Sequence, residues 1–250
     1  MHASCVIRAG SGRSDVHRAR GAGPLRLLCP RAAGNAAWVV TSSLGGGLVD
    51  GDHVALDVTV DAGATCVITS QASTKAYKGR TSQRTTMRVG ARGCALLVPD
   101  PIVPYRDAHF TQVTQLALAP DATLIYCDVL TAGRVAYGER WAATHVDLAL
   151  SIAGLLHDRI LLARDAAARM GRFDAIATAI LLGPRVADLA AAQLASLANE
   201  PGIVIAGSPL GDGAVFRIAG ERVDRVVHRV RALLGDACAR VGEDPWSRKW

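Results

Sequence analysis

A turn followed by a short strand recurs along the middle of this chain at a near-constant spacing. Similar segments begin at Gly63, Gly93 and Asp121, so the spacings are 30 and 28 residues. Apolar and polar residues alternate around them, as at 54–60, which is the pattern of a half-buried strand. A period of this size predicts stacked coils in which each coil buries a face of its neighbour. The expected fold class is therefore mainly β, a β-helix-like stack of short strands.

Further alternating or β-branched runs extend the pattern from residue 36 to about residue 150. Strands are predicted at 65–71, 95–98, 110–118, 123–130 and 141–150, and again at 159–162, 175–182, 203–206 and 214–218. Two α-helices are predicted in the C-terminal part, from Pro184 to about Asn199 and from about Glu221 to Val241. No low-complexity linker interrupts the chain, so residues 1–250 are expected to form a single domain.

The basic residues are unevenly distributed. The segment between Asp61 and Asp100 contains no acidic residue. Four of its arginines fall on even-numbered positions, which share one face of a strand: Arg80, Arg84, Arg88 and Arg92. Nucleic-acid binding would also require stacking aromatic residues, and Tyr77 is the only aromatic residue in this segment. We therefore interpret the segment as a solvated basic face and expect no nucleic-acid partner.

Cysteine usage and apolar runs limit the compartment. The six cysteines contain no Cys-x-x-Cys pair, so buried or free thiols are expected rather than a disulfide framework or a zinc ribbon. No apolar run reaches the roughly 18 residues of a membrane span. The N-terminal segment lacks the apolar stretch of a signal peptide. These features predict a cytoplasmic protein without a membrane partner.

The common catalytic and nucleotide-binding motifs are absent from the sequence. It contains no Gly-x-Ser-x-Gly, no His-Glu-x-x-His, no phosphate-binding Gly-x-x-x-x-Gly-Lys and no Rossmann glycine pattern. Metal ligands are available in residues 50–53, in His145 with Asp147, and in Asp128 and Glu139. Each of these acids could equally be a turn residue or a surface carboxylate.

Four motifs occur in order along the chain. They are Gly-Gly-Leu-Val-Asp-Gly-Asp at 46–52, Thr-Ser-Gln-Ala-Ser-Thr-Lys-Ala-Tyr at 69–77, Pro-Asp-Pro-Ile-Val-Pro-Tyr at 99–105 and Gly-Arg-Val-Ala-Tyr-Gly-Glu at 133–139. With a fifth element at 157–159, they resemble the urease accessory protein family UreD, called UreH in some bacteria. The resemblance extends from about Pro24 to Arg248. The matching family-motif residues are Gly46, Gly47, Gly51, Thr74, Lys75, Tyr77, Gly133, Arg134 and Gly138.

Three segments depart from the family pattern. Asp50 stands where the family often has Gly, and residues 106–108 replace a more usual Gly-Ala ending. The final segment, 244–250, only loosely matches the family's Pro-Arg-x-Trp ending. These departures concern local contacts of the expected fold.

The resemblance implies a non-enzymatic chaperone with a β-helix-like stack of strands and two helices. Such proteins form a complex with UreF and the GTPase UreG, and the complex docks on apo-urease for nickel insertion. The family has been discussed as containing an internal water-filled path for nickel. On that analogy Asp52, Asp128 and Glu139 are candidate path-lining acids, because a passing cation needs weak oxygen ligands in series. Nickel in transit, with no tightly bound cofactor, is the corresponding expectation.

Other functions remain open on the residues alone. A generic β interaction module without a metal role would have the same strand pattern. A β-solenoid polysaccharide hydrolase would need paired carboxylates and an export route, and neither is evident. Lys75 is one of 3 lysines against 25 arginines. Lys75 and Tyr77 could close a turn or face the client enzyme.

Overall fold

The computed structural model describes residues 2–31 and 34–247. The strands in this part of the chain are β1 (Ala3–Ala9), β2 (Ser14–Arg20), β3 (Leu25–Leu28), β4 (Ala37–Ser43), β5 (His53–Val60), β6 (Thr65–Ser70), β7 (Thr74–Ala76), β8 (Gly79–Val89), β9 (Cys94–Leu97), β10 (Ile102–Pro104), β11 (Ala108–Leu118), β12 (Thr123–Thr131), β13 (Gly133–Arg134), β14 (Glu139–Arg140), β15 (His145–Ile152), β16 (Leu156–Leu162), β17 (Ala175–Leu182), β18 (Ile203–Leu210) and β19 (Gly213–Gly220). The helices are α1 (Ala166–Met170), α2 (Ala187–Ala195) and α3 (Val223–Arg240), with one 3₁₀ turn at Val135–Tyr137.

Most strands belong to two large sheets that lie face to face. The seven-stranded sheet has the order β16-β15-β11-β8-β5-β1-β2. The ten-stranded sheet has the order β18-β19-β17-β12-β9-β6-β4-β3, with β7 and β10 alongside. The chain crosses repeatedly from one sheet to the other, which gives a β-solenoid-like stack of about three turns. The predicted fold class, mainly β with a β-helix-like stack, is confirmed.

The strand register confirms the predicted repeat. In the seven-stranded sheet, Ser82 pairs with His53 on one side and with Thr111 on the other, an offset of 29 residues each time. In the ten-stranded sheet, Leu96 pairs with Val67 and Ile125, again 29 residues away. These pairs are parallel, as expected when successive coils run in the same direction. The recurrence of strand lettering therefore marks successive turns of the stack.

The two predicted C-terminal helices are present and cover the outer face of the ten-stranded sheet. Both α2 and α3 pack against β17 and β19. On α3, the apolar positions Val226, Val230, Leu233 and Leu234 are buried, as the spacing of its apolar residues predicts. Both helices are shorter than predicted, and the five-residue helix α1 was not predicted. No helix in residues 2–31 and 34–247 combines the length and apolar character that a membrane crossing requires.

Several local predictions were wrong. Strands β1, β2 and β3 lie before residue 36, where no strand was predicted. The strands β2 and β3 are sheet-edge strands with few buried residues, whereas β1 is an inner strand whose alternating pattern was missed. The strand expected at 141–150 begins only at His145, since Trp141 has φ 51° and ends a turn. Arg92 has φ 56° and lies in a turn, so only three of the four even-numbered arginines share the exposed face of β8.

The apolar core has three parts. One cluster lies between the ten-stranded sheet and the helices. The other two lie between the two sheets, one around Leu116 and Leu124 and one around Phe110 and Leu130. The last three positions of the segment 244–250 lie outside the described residues. The single-domain assignment of residues 1–250 stays a prediction.

Candidate functional site

A layer of polar side chains separates the two apolar clusters between the sheets. On β11 the inward positions run from Phe110 through Gln112 and Thr114 to Leu116, so two polar residues interrupt an apolar face. Polar residues also occupy inward positions on β8, β12, β16, β17 and β19. The polar layer consists of Thr85, Gln112, Thr114, Asp128, Asp158, Thr178 and Arg217. Buried polar groups cost free energy unless they are hydrogen-bonded or paired, so each member of the layer that lacks a partner stands out.

Asp128 is the central acid of this layer. It lies on β12 with only 8% of its surface exposed. The Tyr126 hydroxyl donates to its Oδ2 at 3.2 Å, and the Gln112 amide donates to the same oxygen. Its Oδ1 has no hydrogen-bond partner among the described residues. Burial raises the pKa of the Asp128 carboxyl from its ordinary 3.8 to about 6, although the bonds from Gln112 and Tyr126 oppose the rise.

Two cavities meet at Asp128. The larger cavity has a volume of about 200 Å³, and residues 41–43 and 69–75 line it on the side where Gln71 and Ala72 are exposed at the surface. The smaller cavity has a volume of about 10 Å³ and extends towards Asp158 and Thr178. Both cavities are lined by Gln112, Tyr126 and Asp128. The cavities therefore follow the polar layer from one side of the stack towards the other.

Asp52, the first candidate acid, lies in the turn before β5. Its Oδ2 accepts a hydrogen bond from the Val49 backbone N–H at 2.8 Å, which closes the turn. The neighbouring Asp50 accepts from the Arg80 backbone N–H at 2.7 Å. His53 points to the outer face of its sheet, where its Nδ1 lies 2.7 Å from Ser82 Oγ. These carboxylates stabilise backbone turns, and neither lines the two cavities.

Glu139, the third candidate acid, is held by arginines. Its carboxylate accepts hydrogen bonds from Arg134 at 2.8 and 2.6 Å and lies 3.7 Å from the Arg106 guanidinium. The hydrogen bonds from Arg134 hold the pKa of Glu139 below its ordinary value. Of the three candidates, Asp128 lines the two cavities described above, and Asp52 and Glu139 do not. Among residues 2–31 and 34–247, no three His, Cys, Asp or Glu side chains come together to hold a metal ion.

The nine family-motif residues gather at one end of the stack, in the connections from the ten-stranded to the seven-stranded sheet. Successive connections are hydrogen-bonded in register. Leu48 N–H donates to Lys75 O at 2.8 Å, and Tyr77 N–H donates to Leu48 O at 2.9 Å. The rings of Tyr77 and Tyr105 lie 4.9 Å apart, and the Arg134 guanidinium lies 4.3 Å above the Tyr105 ring. Tyr77 therefore helps to hold adjacent connections together.

Lys75 lies at the rim of the larger cavity. Its backbone carbonyl is used by the neighbouring connection, and its half-buried side chain is part of the cavity lining. Thr74 and Gly46 line the same rim. The first two motifs thus surround the entrance to the cavity that leads to Asp128. The alternative role of Lys75, contact with a client protein, stays a prediction.

Sequence analysis missed most of the polar layer. Gln112, Thr114, Thr178 and Arg217 were not singled out, and Asp158 was noted only as part of a motif. A signal was present, because inward positions of β11 and β12 carry polar residues between buried apolar ones. That signal becomes visible only when successive coils are aligned by their repeat.

Comparisons with known proteins agree with the motifs. The family model described as UreD urease accessory protein matches residues 2–250. The urease accessory protein UreD of Sorangium cellulosum (strain So ce56) is 41% identical over 98% of this chain and 83% of its own length. That of Anaeromyxobacter sp. (strain Fw109-5) is 36% identical over 97% and 90%, and the urease accessory protein D of Arabidopsis thaliana is 27% identical over 97% and 98%. The chain therefore belongs to the UreD urease accessory protein family.

Proposed function

We propose that this chain is a non-catalytic chaperone of urease maturation that assists the insertion of nickel. In this proposal it acts in the cytoplasm with UreF and the GTPase UreG, and the complex docks on apo-urease. Membership of the urease accessory family supports the maturation role. Nickel is cargo that passes through the chain and is not held as a cofactor.

The burial of the Asp128 carboxylate beside two cavities is the observation that supports the nickel part of the proposal. This residue is a buried carboxylate with a free oxygen, and it lies where two internal cavities meet. A structural acid of the core would be expected to have both oxygens satisfied. A single carboxylate surrounded by hydroxyl and amide groups offers oxygen ligands, which hold nickel more weakly than imidazole or thiolate do. Weak ligands suit an ion that must move on.

The polar layer supplies a hydrated route through an otherwise apolar interior. Moving a divalent cation between two apolar clusters would be prohibitively costly without polar groups along the way. Thr85 and Thr114 place hydroxyls in the larger cavity, and Gln112 lines both cavities. We propose that nickel enters from the rim at residues 41–43 and 69–75 and reaches Asp128 through water.

The proposal is tested in cells that express the cognate urease subunits and the other accessory proteins. Urease nickel content and activity are measured with this chain present, deleted and restored. We expect both quantities to fall on deletion and to recover when the chain is restored. Full nickel content without the chain would contradict the proposal and would leave a β-stack interaction module with another client.

A further inference from the structure

One end of the polar layer is closed by an ion pair between the two sheets. Arg217 on β19 donates from Nη2 to both carboxylate oxygens of Asp158 on β16, at 2.7 and 2.8 Å. Its Nη1 donates to Thr178 Oγ1 at 2.7 Å. Since β16 is the edge strand of the seven-stranded sheet, this guanidinium spans the lateral opening between the sheets.

The pair lies in line with Asp128. In the ten-stranded sheet Asp128 pairs with Thr178, and Thr178 pairs with Arg217, so the three occupy one row across β12, β17 and β19. The positive charge of Arg217 also reaches Asp128, where it acts to lower the carboxyl pKa. A cation at Asp128 therefore faces a fixed positive charge in the direction of β16.

The cavities on the two sides of Asp128 differ in volume. The cavity between Asp128 and Asp158 has a volume of about 10 Å³, which is room for about one water molecule. Arg217 lies behind this cavity, bonded to two of its lining residues, Asp158 and Thr178. The cavity on the other side of Asp128 holds about 200 Å³. A hydrated cation fits the larger space. At the other end it meets a space for about one water molecule, behind which the Arg217 guanidinium is held by Asp158.

We propose that Arg217, held by Asp158 and Thr178, is a gate that keeps the lateral end of the polar layer closed to cations. This inference rests on the proposed function, because it concerns the route of the same ion. In the free chain a cation reaches Asp128 only from the larger cavity. It leaves past β16 only when the guanidinium gives up its bonds to Asp158 and Thr178.

A reporter thiol that lines the smaller cavity tests the gate. Because a methanethiosulfonate reagent is larger than this cavity, it reaches the thiol only when the lateral end opens. Leu148 is 7% exposed and lines that cavity. The reporter is the full chain with Leu148→Cys and with Cys29→Ser, since Cys29 is the exposed cysteine and the other five are buried. Its labelling rate is measured with cationic 2-aminoethyl methanethiosulfonate and with neutral methyl methanethiosulfonate. The ratio of the two rates reports how strongly cations are excluded.

Three further variants are compared in this reporter chain. Arg217→Gln removes the charge but keeps much of the side-chain volume, and we expect it to raise the cationic-to-neutral ratio roughly tenfold. Arg217→Lys keeps the charge and is expected to leave the ratio near that of the parent. Arg159→Ala is the matched control, because Arg159 pairs with Asp147 on the outer face of the same sheet edge. Its ratio should not change.

The gate is contradicted if Arg217→Gln leaves the cationic-to-neutral ratio unchanged. This includes the case in which both rates rise by the same factor. An equal rise would mean that Arg217 only fills space. A thermal unfolding curve for each variant establishes that the rates come from folded chains. No urease is present in this assay, so a failed gate leaves the proposed function standing. The proposed function is decided separately by the nickel content of urease.

Discussion

Asp128 is the residue whose protonation couples the polar layer to stability. Burial raises its pKa from 3.8 to about 6, so the folded chain favours the protonated form. Stability from this group is therefore fully present below about pH 4 and is lost as the pH rises through about 6. Asp128→Asn removes the cost of the buried charge and should be up to about 3 kcal/mol more stable than the parent at pH 7.5.

Urea unfolding at pH 4 and pH 7.5 measures this difference. Near pH 4 the two proteins should have similar free energies of unfolding. Asp57→Asn is a suitable control, because Asp57 lies on the outer face of the seven-stranded sheet and pairs with His2 near the surface. A parent protein whose stability relative to Asp128→Asn does not change between the two pH values would show that Asp128 is not buried as a charge.

Two glycines of one motif make a matched test of the close packing between connections. Gly133 has φ 91°, and a Cβ built on it would lie 2.5 Å from Pro104 O. Gly138 has φ 71° but no atom within 4 Å of the corresponding position. Gly138→Ala should cost about 1 kcal/mol, from the left-handed backbone alone. Gly133→Ala should cost roughly 2–3 kcal/mol or more, because backbone must also move. Equal losses in chemical unfolding would argue against the close contact with Pro104.

At the scale of elements, successive coils pack through fully buried residues of their strands in the ten-stranded sheet. Leu96 on β9 is 0% exposed and lies between Val67 and Ile125 of the adjacent coils. Leu96→Ala should lower the free energy of unfolding by about 2–5 kcal/mol. Leu161 on β16 is 44% exposed, and Leu161→Ala should change stability by less than about 1 kcal/mol. Comparable losses for the two variants would contradict the stacked packing of the coils.

The repeat is the part of the fold that sequence predicts best. Each coil must bury the same face as its neighbour, so the turn at Gly63 returns near Gly93 and again near Asp121 with similar apolar residues after it. The helices were predictable for the related reason that α3 has a continuous apolar stripe. The edge strand β2 was not predictable, because it exposes most of its residues and so has no alternating pattern.

The candidate site was less predictable than the fold. In the sequence, Asp52 lies in a Gly-rich segment before a strand and Asp128 lies within a predicted strand. Neither position by itself shows which carboxylate faces an interior space. Their difference lies in the third dimension, because Asp52 closes a turn through Val49 whereas Asp128 faces the space between two sheets. The polar layer depends on which coil lies beside which. Its members come from strands as distant in sequence as β8 and β19.

At the scale of the whole molecule, some of the motif residues and the polar layer line successive parts of the same interior space. The motif residues hold the connections at one end of the stack and surround the entrance of the larger cavity. Between the sheets, the polar layer lines the continuation of this cavity past Asp128 to Asp158, which is paired with Arg217. Under the proposed function, the rim is the side that faces a partner and the polar layer is the route of the nickel cargo.

The most direct test of this account is the nickel content of urease matured with Asp128→Asn in place of the parent chain. The measurement is made at limiting nickel with the other accessory proteins present, and Asp57→Asn serves as the surface control. The account predicts a fall of roughly tenfold or more for Asp128→Asn, because the charged oxygen ligand of the route is lost. It predicts no change for Asp57→Asn. A urease fully loaded with nickel by Asp128→Asn would contradict passage of nickel through the polar layer.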